Sequence, residues 1–232
     1  MNKLVFLLVF PLSVLVLPVF SGEPVKGSLA RCLGGVHGKS DNFEKNVILR
    51  AQCHVDYQDY EGAMSVLADA IESVLRSNGN TVRYDQQLSR LHQMSSRVYS
   101  LMGDSSSSLV EINNAIAVWP GQWSAYLDRG GVYFEMNKFS PAIRDHNIAY
   151  RMSKDQPIVL WYLTYVNAEA GCYSYSVYYF KVLKNLIEQG AEYWSSSAER
   201  GMEVAEAYLS ENYDASSKKA EPPVCANNLK LH

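Results

Sequence analysis

Residues 126–149 read "YLDRGGVYFEMNKFSPAIRDHNIA", and their spacing decides the fold. Tyr126, Gly130, Tyr133 and Phe134 fall at i, i+4, i+7 and i+8, and Ala142, Ile143, His146, Ala149 and Tyr150 repeat that period, so each half predicts one amphipathic helix. Between them, Asn137 suits a left-handed helix end, Ser140 a helix cap and Pro141 a first helical turn. Gly130, Ala142 and Ala149 are small enough to let the two helix axes approach. A glycine inside a helix costs about 1 kcal/mol against alanine, so Gly130 predicts a packing reason.

The pattern recurs. A shift of 34 residues back lays Tyr133 on Tyr99, Asn137 on Gly103, Ile143 on Leu109 and Ala149 on Ala115. The same shift forward lays Asn137 on Gly171, Phe139 on Tyr173, Ala142 on Ser176 and Ile143 on Val177. An earlier copy, "QDYEGAMSVLADAI", aligns Tyr60 with Phe139, Ala63 with Ala142 and Ala70 with Ala149. Its offset from the next copy is 45 rather than 34, which places eleven extra residues around Ser77–Asn80.

A 34-residue helix–turn–helix unit with these aromatic and small positions resembles the tetratricopeptide repeat (TPR). The resemblance rests on Tyr126, Gly130, Tyr133, Phe139, Ala142 and Ala149, and on Tyr99, Gly103, Ala115 and Pro120 one repeat earlier. It covers roughly residues 43 to 190. The fourth copy departs from it, with Ser176 and Leu183 at the helix-B alanines and Asn167 at the second aromatic, and the first lacks the closing proline. The expected fold is all-α: a TPR-like helical-hairpin solenoid of about four repeats. A C-terminal capping helix over 191–213 would carry Trp194, Ala198, Met202, Ala205, Tyr208 and Leu209 on one stripe.

The expected organisation is a signal peptide at 1–21, an irregular N-terminal segment at 22–42, a TPR-like domain at 43–213 and a flexible C-terminal tail at 214–232. Met1-Asn2-Lys3 followed by an apolar run from Leu4 to Phe20 has the order of a secretory signal, and Val19 and Ser21 suit cleavage after Ser21. An uncleaved anchor is the competing reading; Pro11 and Pro18 and the short run speak against a membrane span. The "LARC" around Cys32 is no lipidation box, because Arg31 stands where a small residue is required. These features predict a periplasmic or secreted protein with no stable membrane span once the signal is removed.

Removing Lys3 from the 21 basic residues leaves 20 against 24 acidic, a net charge of −4 with no basic footprint for nucleic acid. Cys32, Cys53, Cys172 and Cys225 allow three pairings. Proximity favours Cys32 with Cys53 and Cys172 with Cys225, each tying a terminal segment to the helices at about 3–4 kcal/mol; free buried thiols are the alternative.

No reactive constellation stands out. G-x-S-x-G, H-E-x-x-H and phosphate loops are absent, and His37, His54, His92 and His146 are scattered, so no cofactor, metal or catalytic residue is expected. His146, on an apolar stripe, reads as a satisfied structural histidine. Asp56, Glu135 and Glu169 share one slot near the end of the first helix in three repeats. The TPR resemblance implies that this slot faces a concave peptide groove, together with Gln93, Arg97, Leu127, Phe134, Trp161 and Tyr165. Such a groove suits an extended or helical peptide carrying a basic residue. The acids could instead solvate an exposed face, or two of them could serve a hydrolase across about 5–10 Å. Ile48, Gln52, Gln93, Arg97, Leu127 and Gly131 occupy the places of a carboxylate clamp, and only Arg97 fits one. The sequence thus predicts a non-catalytic adaptor for a protein or peptide. The alternative is an immunity or assembly subunit that binds through its convex face or termini.

Overall fold

The computed structural model describes residues 28–36, 43–77, 81–153, 156–190, 210 and 222–228. Among them the chain forms α1 (Leu29–Val36), α2 (Phe43–Asp56), α3 (Tyr60–Arg76), α4 (Val82–Leu101), α5 (Ser105–Val118), α6 (Trp123–Glu135), α7 (Phe139–Ser153), α8 (Pro157–Glu169), α9 (Tyr173–Glu188) and a 3-10 turn, Pro223–Asn227. Helices α2 to α9 pack as four successive antiparallel pairs, each against the next, in a TPR-like solenoid.

The turns explain the period. Gln58, Gly103, Asn137 and Gly171 occupy one slot of the repeat, and all four have positive φ, between 57° and 78°. Each closes the preceding helix in the same way. Lys138 N–H donates to the Tyr133 carbonyl at 2.8 Å and Asn137 N–H to the Phe134 carbonyl at 2.8 Å, and Asp104/Gly103 and Cys172/Gly171 repeat the pair. This is the Schellman closure, which favours glycine or asparagine at the left-handed residue. Gln58 adopts it without that advantage.

Asp59 and Asp104 then cap the following helices by accepting from the backbone N–H groups of Gly62 and Ser107. Ser140 does not cap α7 as expected, because that helix already starts at Phe139; its hydroxyl instead accepts from the Asn227 side chain at 3.0 Å. Most of the eleven extra residues before the second repeat are absorbed by longer helices: α3 has 17 residues against 14 in its counterpart α5, and α4 has 20 against 13 in α6.

The repeated small residues sit where the helices touch. Ala51, Ala63, Ala142 and Ala149 have no exposed surface. Serine replaces alanine in the helix-B slot of repeats two and four at no packing cost. Ser108 donates to the Ser96 carbonyl at 2.8 Å and Ser176 to the Thr164 carbonyl at 2.7 Å, so each hydroxyl is satisfied by the facing helix.

Two sequence expectations need correction. The segment 22–42 is not wholly irregular, since Leu29–Val36 is helical and Cys32 is bonded to Cys53 of α2. Nor is 214–232 wholly a flexible tail, because Cys225 is bonded to Cys172 at the start of α9. Asn228 reinforces the second bridge by donating to the buried Asn167 side chain at 2.6 Å, and Asn227 by reaching Ser140. The bridges and polar contacts outweigh the poor helix propensity of these glycine- and proline-containing stretches. The signal segment 1–21 and the expected capping stripe at 191–213 lie outside the described residues, apart from helical Ser210.

Candidate functional site

The first helices of the pairs, α2, α4, α6 and α8, form a connected row. Contacts link α2 with α4 and α4 with α6, and Phe134 of α6 meets Tyr165 of α8 at 5.3 Å between ring centroids. Two seams between these helices carry most of the residues expected to form the groove, and they differ in chemistry.

The seam between α4 and α6 is closed by polar contacts. Asp128 accepts from Gln93 Nε2 at 2.5 Å and from Arg97 Nε at 2.9 Å, while Gln93 Oε1 accepts from Gln122 Nε2 at 2.6 Å. Gln93 is buried and the Arg97–Asp128 pair is half-buried, so these side chains hold one another more than they offer themselves to a ligand. Asp128, which the sequence reading did not select, is the hub. Arg90 is likewise engaged, with the buried Glu44 at 3.1 Å.

The seam between α6 and α8 is aromatic and leaves a cleft. Trp161 stacks on Tyr165 with centroids 5.6 Å apart and planes 10° from parallel, and Phe134 joins Tyr165 and Phe139. Gly131, Phe134, Glu135, His146, Tyr162, Tyr165 and Val166 line the cleft, whose enclosed volume of about 10 Å³ is the space of one water-sized group. Burial raises the Glu135 carboxyl to about 7, while the Ser100 hydroxyl pulls the other way. Burial, helped by the charge of Glu169, also raises the Tyr165 phenol to about 12.

The other expected residues fall elsewhere. Leu127 is a correction: only 4% exposed, it packs with Leu160, Leu163 and Tyr179 in the core, because its slot points between helices in this repeat. Asp56 is exposed and accepts from Gln52 at 2.6 Å on its own helix. Glu169 is exposed and does not line the cleft, so Glu135 and Glu169 do not face each other across a common pocket as an acid and base would.

His146 is the second correction. It is buried as expected, 1% exposed, but it is not satisfied: neither ring nitrogen completes a hydrogen bond. Burial pushes its pKa down to about 3, against the opposite pull of the Leu127 backbone, so the ring stays neutral. The ring explains Gly130, since a Cβ at that position would overlap the imidazole. The sequence held a signal for His146 in its repeat slot: Leu67, Ile112 and Phe180 occupy it in the other repeats, all buried.

Among the described residues no three His, Cys, Asp or Glu side chains gather in a metal-binding group, and no helix is long and apolar enough to cross a membrane. Comparison with known proteins places the architecture only. No protein-family model matches the chain, and no curated protein matches it. Among solved structures, the crystal structure of MamA superposes with a TM-score of 0.50 at 16% identity, covering 70% of this chain and 89% of that one. A second MamA structure gives a TM-score of 0.46 at 18% identity, covering 67% and 79%. The first likeness supports the fold read from the repeat, a TPR-like helical solenoid.

Proposed function

We propose that this chain is a non-catalytic binding scaffold that presents the row of first helices α2, α4, α6 and α8 to a protein or peptide partner. The observation that carries the reading is the partly exposed aromatic run Phe134–Tyr165–Trp161 beside a cleft on that row. Aromatic anchors next to a small pocket are the usual centre of a protein-binding surface. The repeat pairs behind it are rigidly packed and fully closed at their turns, which pre-organises the surface.

The two disulfides support a periplasmic or secreted location, because such bonds persist in oxidising compartments. The basic-then-apolar start of the chain fits the same reading.

Crosslinking capture with the mature chain tests the proposal. Trp161→Ala with Tyr165→Ala should abolish capture of whatever protein the wild-type chain retains, with the helical circular dichroism unchanged. Undiminished capture by that variant would overturn the groove reading.

A further inference from the structure

We propose that the α6–α8 cleft is an acceptor site for one primary ammonium group, the side chain of a lysine on the partner. This rests on the groove reading and specifies its chemistry. Five of the seven residues lining the cleft present electron-rich groups: the Glu135 carboxylate, the neutral His146 ring, and the faces of Phe134, Tyr162 and Tyr165. Among the described residues no lysine or arginine lines it. Carboxylate, imidazole lone pair and aromatic faces each attract a cation.

His146 is the observation that requires a ligand. An apolar side chain fills its slot in the other three repeats, so histidine here is not a packing solution. A buried imidazole whose nitrogens complete no hydrogen bond is destabilising, and a Cβ at position 130 would overlap the ring. The neutral ring carries its proton on one nitrogen and keeps a lone pair on the other, which accepts an N–H of a bound ammonium.

Size selects among cations. The enclosed volume of about 10 Å³ accepts one water-sized head such as –NH3⁺, whereas a planar guanidinium or a quaternary ammonium would have to push the rings apart. The mouth is kept open by Gly131, where an added Cβ would meet nothing within 4 Å. Two adjacent glycines thus have separate tasks: Gly130 makes room for the histidine and Gly131 leaves the way in.

The site is coupled to protons. Glu135 is neutral in part near pH 7, and an arriving ammonium favours its ionised form. The groups sharing the cleft are His146 of α7, neutral above pH 4, and Tyr165 of α8, neutral below pH 11; Ser100 of α4 acts on Glu135 as a hydroxyl, and Glu169 acts on Tyr165 from outside the cleft. Glu135 is therefore the group that titrates in the physiological range.

The test titrates n-butylammonium chloride, a lysine side-chain mimic, into the full mature chain while following the His146 ring by NMR. A saturable shift is expected at pH 8. The affinity should fall about tenfold at pH 6, as Glu135 takes up its proton. Glu135→Gln should weaken binding at least fivefold and flatten that pH dependence. Gly131→Leu, placed in open space, should block binding with the fold intact. Guanidinium and tetramethylammonium chloride should leave the ring signal in place. No shift, or one that neither saturates nor responds to Glu135→Gln and Gly131→Leu, would overturn the site and leave the cleft with a trapped water only. The groove reading is judged separately. Capture lost on Trp161→Ala but retained on Glu135→Gln keeps the groove and removes the ammonium site. Butylammonium binding with capture unaffected by any groove variant does the reverse.

Discussion

The seams α4–α6 and α6–α8 are built from the same repeat positions, one step apart, yet one is closed and the other open. The slot that holds Asp128 in the first seam holds Tyr162 in the second, and the slot of Arg97 becomes Gly131 and then Tyr165. In the first seam a carboxylate finds a guanidinium and an amide and the three satisfy one another. In the second, a half-buried carboxylate has only the Ser100 hydroxyl beside it, and a buried imidazole completes no hydrogen bond among the rings. Neighbouring seams of a solenoid can thus differ in chemistry without a change of backbone, because each repeat contacts only its neighbours.

The contrast can be broken at several points. The largest effect is expected from Cys172→Ser with Cys225→Ser. The bridge closes a loop of 53 residues and is worth about 4 kcal/mol on the loop-entropy model. Hydrogen exchange should then rise in α7 to α9, beneath the released 222–228 segment, while α4 and α5 keep their protection. Loss spread evenly over all helices would mean that the two seams are not energetically separate.

Asp128→Ala attacks the closed seam. It leaves a half-buried arginine and a buried amide without their acceptor and should lower stability by about 2 kcal/mol in urea denaturation. A change below about 0.5 kcal/mol would show the network to be decoration.

His146→Ile restores the residue type of the preceding repeat, Ile112, and should raise stability by about 1–2 kcal/mol at neutral pH. The gain should grow in acid. The folded imidazole resists protonation down to about pH 3 whereas the unfolded one titrates near 6.5, so the wild type loses stability as the pH falls through that window. Parallel acid-denaturation curves for the two proteins would contradict the buried neutral ring.

The smallest effect is expected from Glu135→Gln, and its sign runs the other way with pH. Folding raises this carboxyl from 4.5 to about 7, so its ionisation costs nothing below about pH 4.5 and its full amount above about 7. The variant should gain about 1 kcal/mol on the wild type between pH 5 and pH 8, the partial exposure of the group keeping the figure low. Thermal melts at the two pH values check it.

Much of this was legible in the chain. The 34-residue spacing fixed the helix pairs, and Gly103, Asn137 and Gly171 marked the turns that close them. Proximity of the cysteines anticipated both bridges. The candidate site was legible in part. Phe134, Glu135 and Tyr165 do come together, with Trp161 beside them, while Leu127 is in the core and Asp56 and Glu169 stand apart from the cleft. Position in the repeat gives the row a residue stands on but not how far it reaches between neighbouring helices, and Leu127 fails on that difference. Gln93 and Arg97 were read as ligand groups because their partner, Asp128, lies 35 and 31 residues away.

What the sequence determined by itself is the local and periodic part: helix after helix, left-handed turn after turn, with small residues where two axes must meet, all set by interactions within a few residues. Only the tertiary structure decided which polar side chains are paired and which are not. That depends on contacts between adjacent repeats, and a buried group's hydrogen bonds are fixed by the one geometry in which those repeats pack. Gly130 was visible as a close approach from the start; that it makes room for an unpaired histidine beside an acid became visible only when α6, α7 and α8 were assembled.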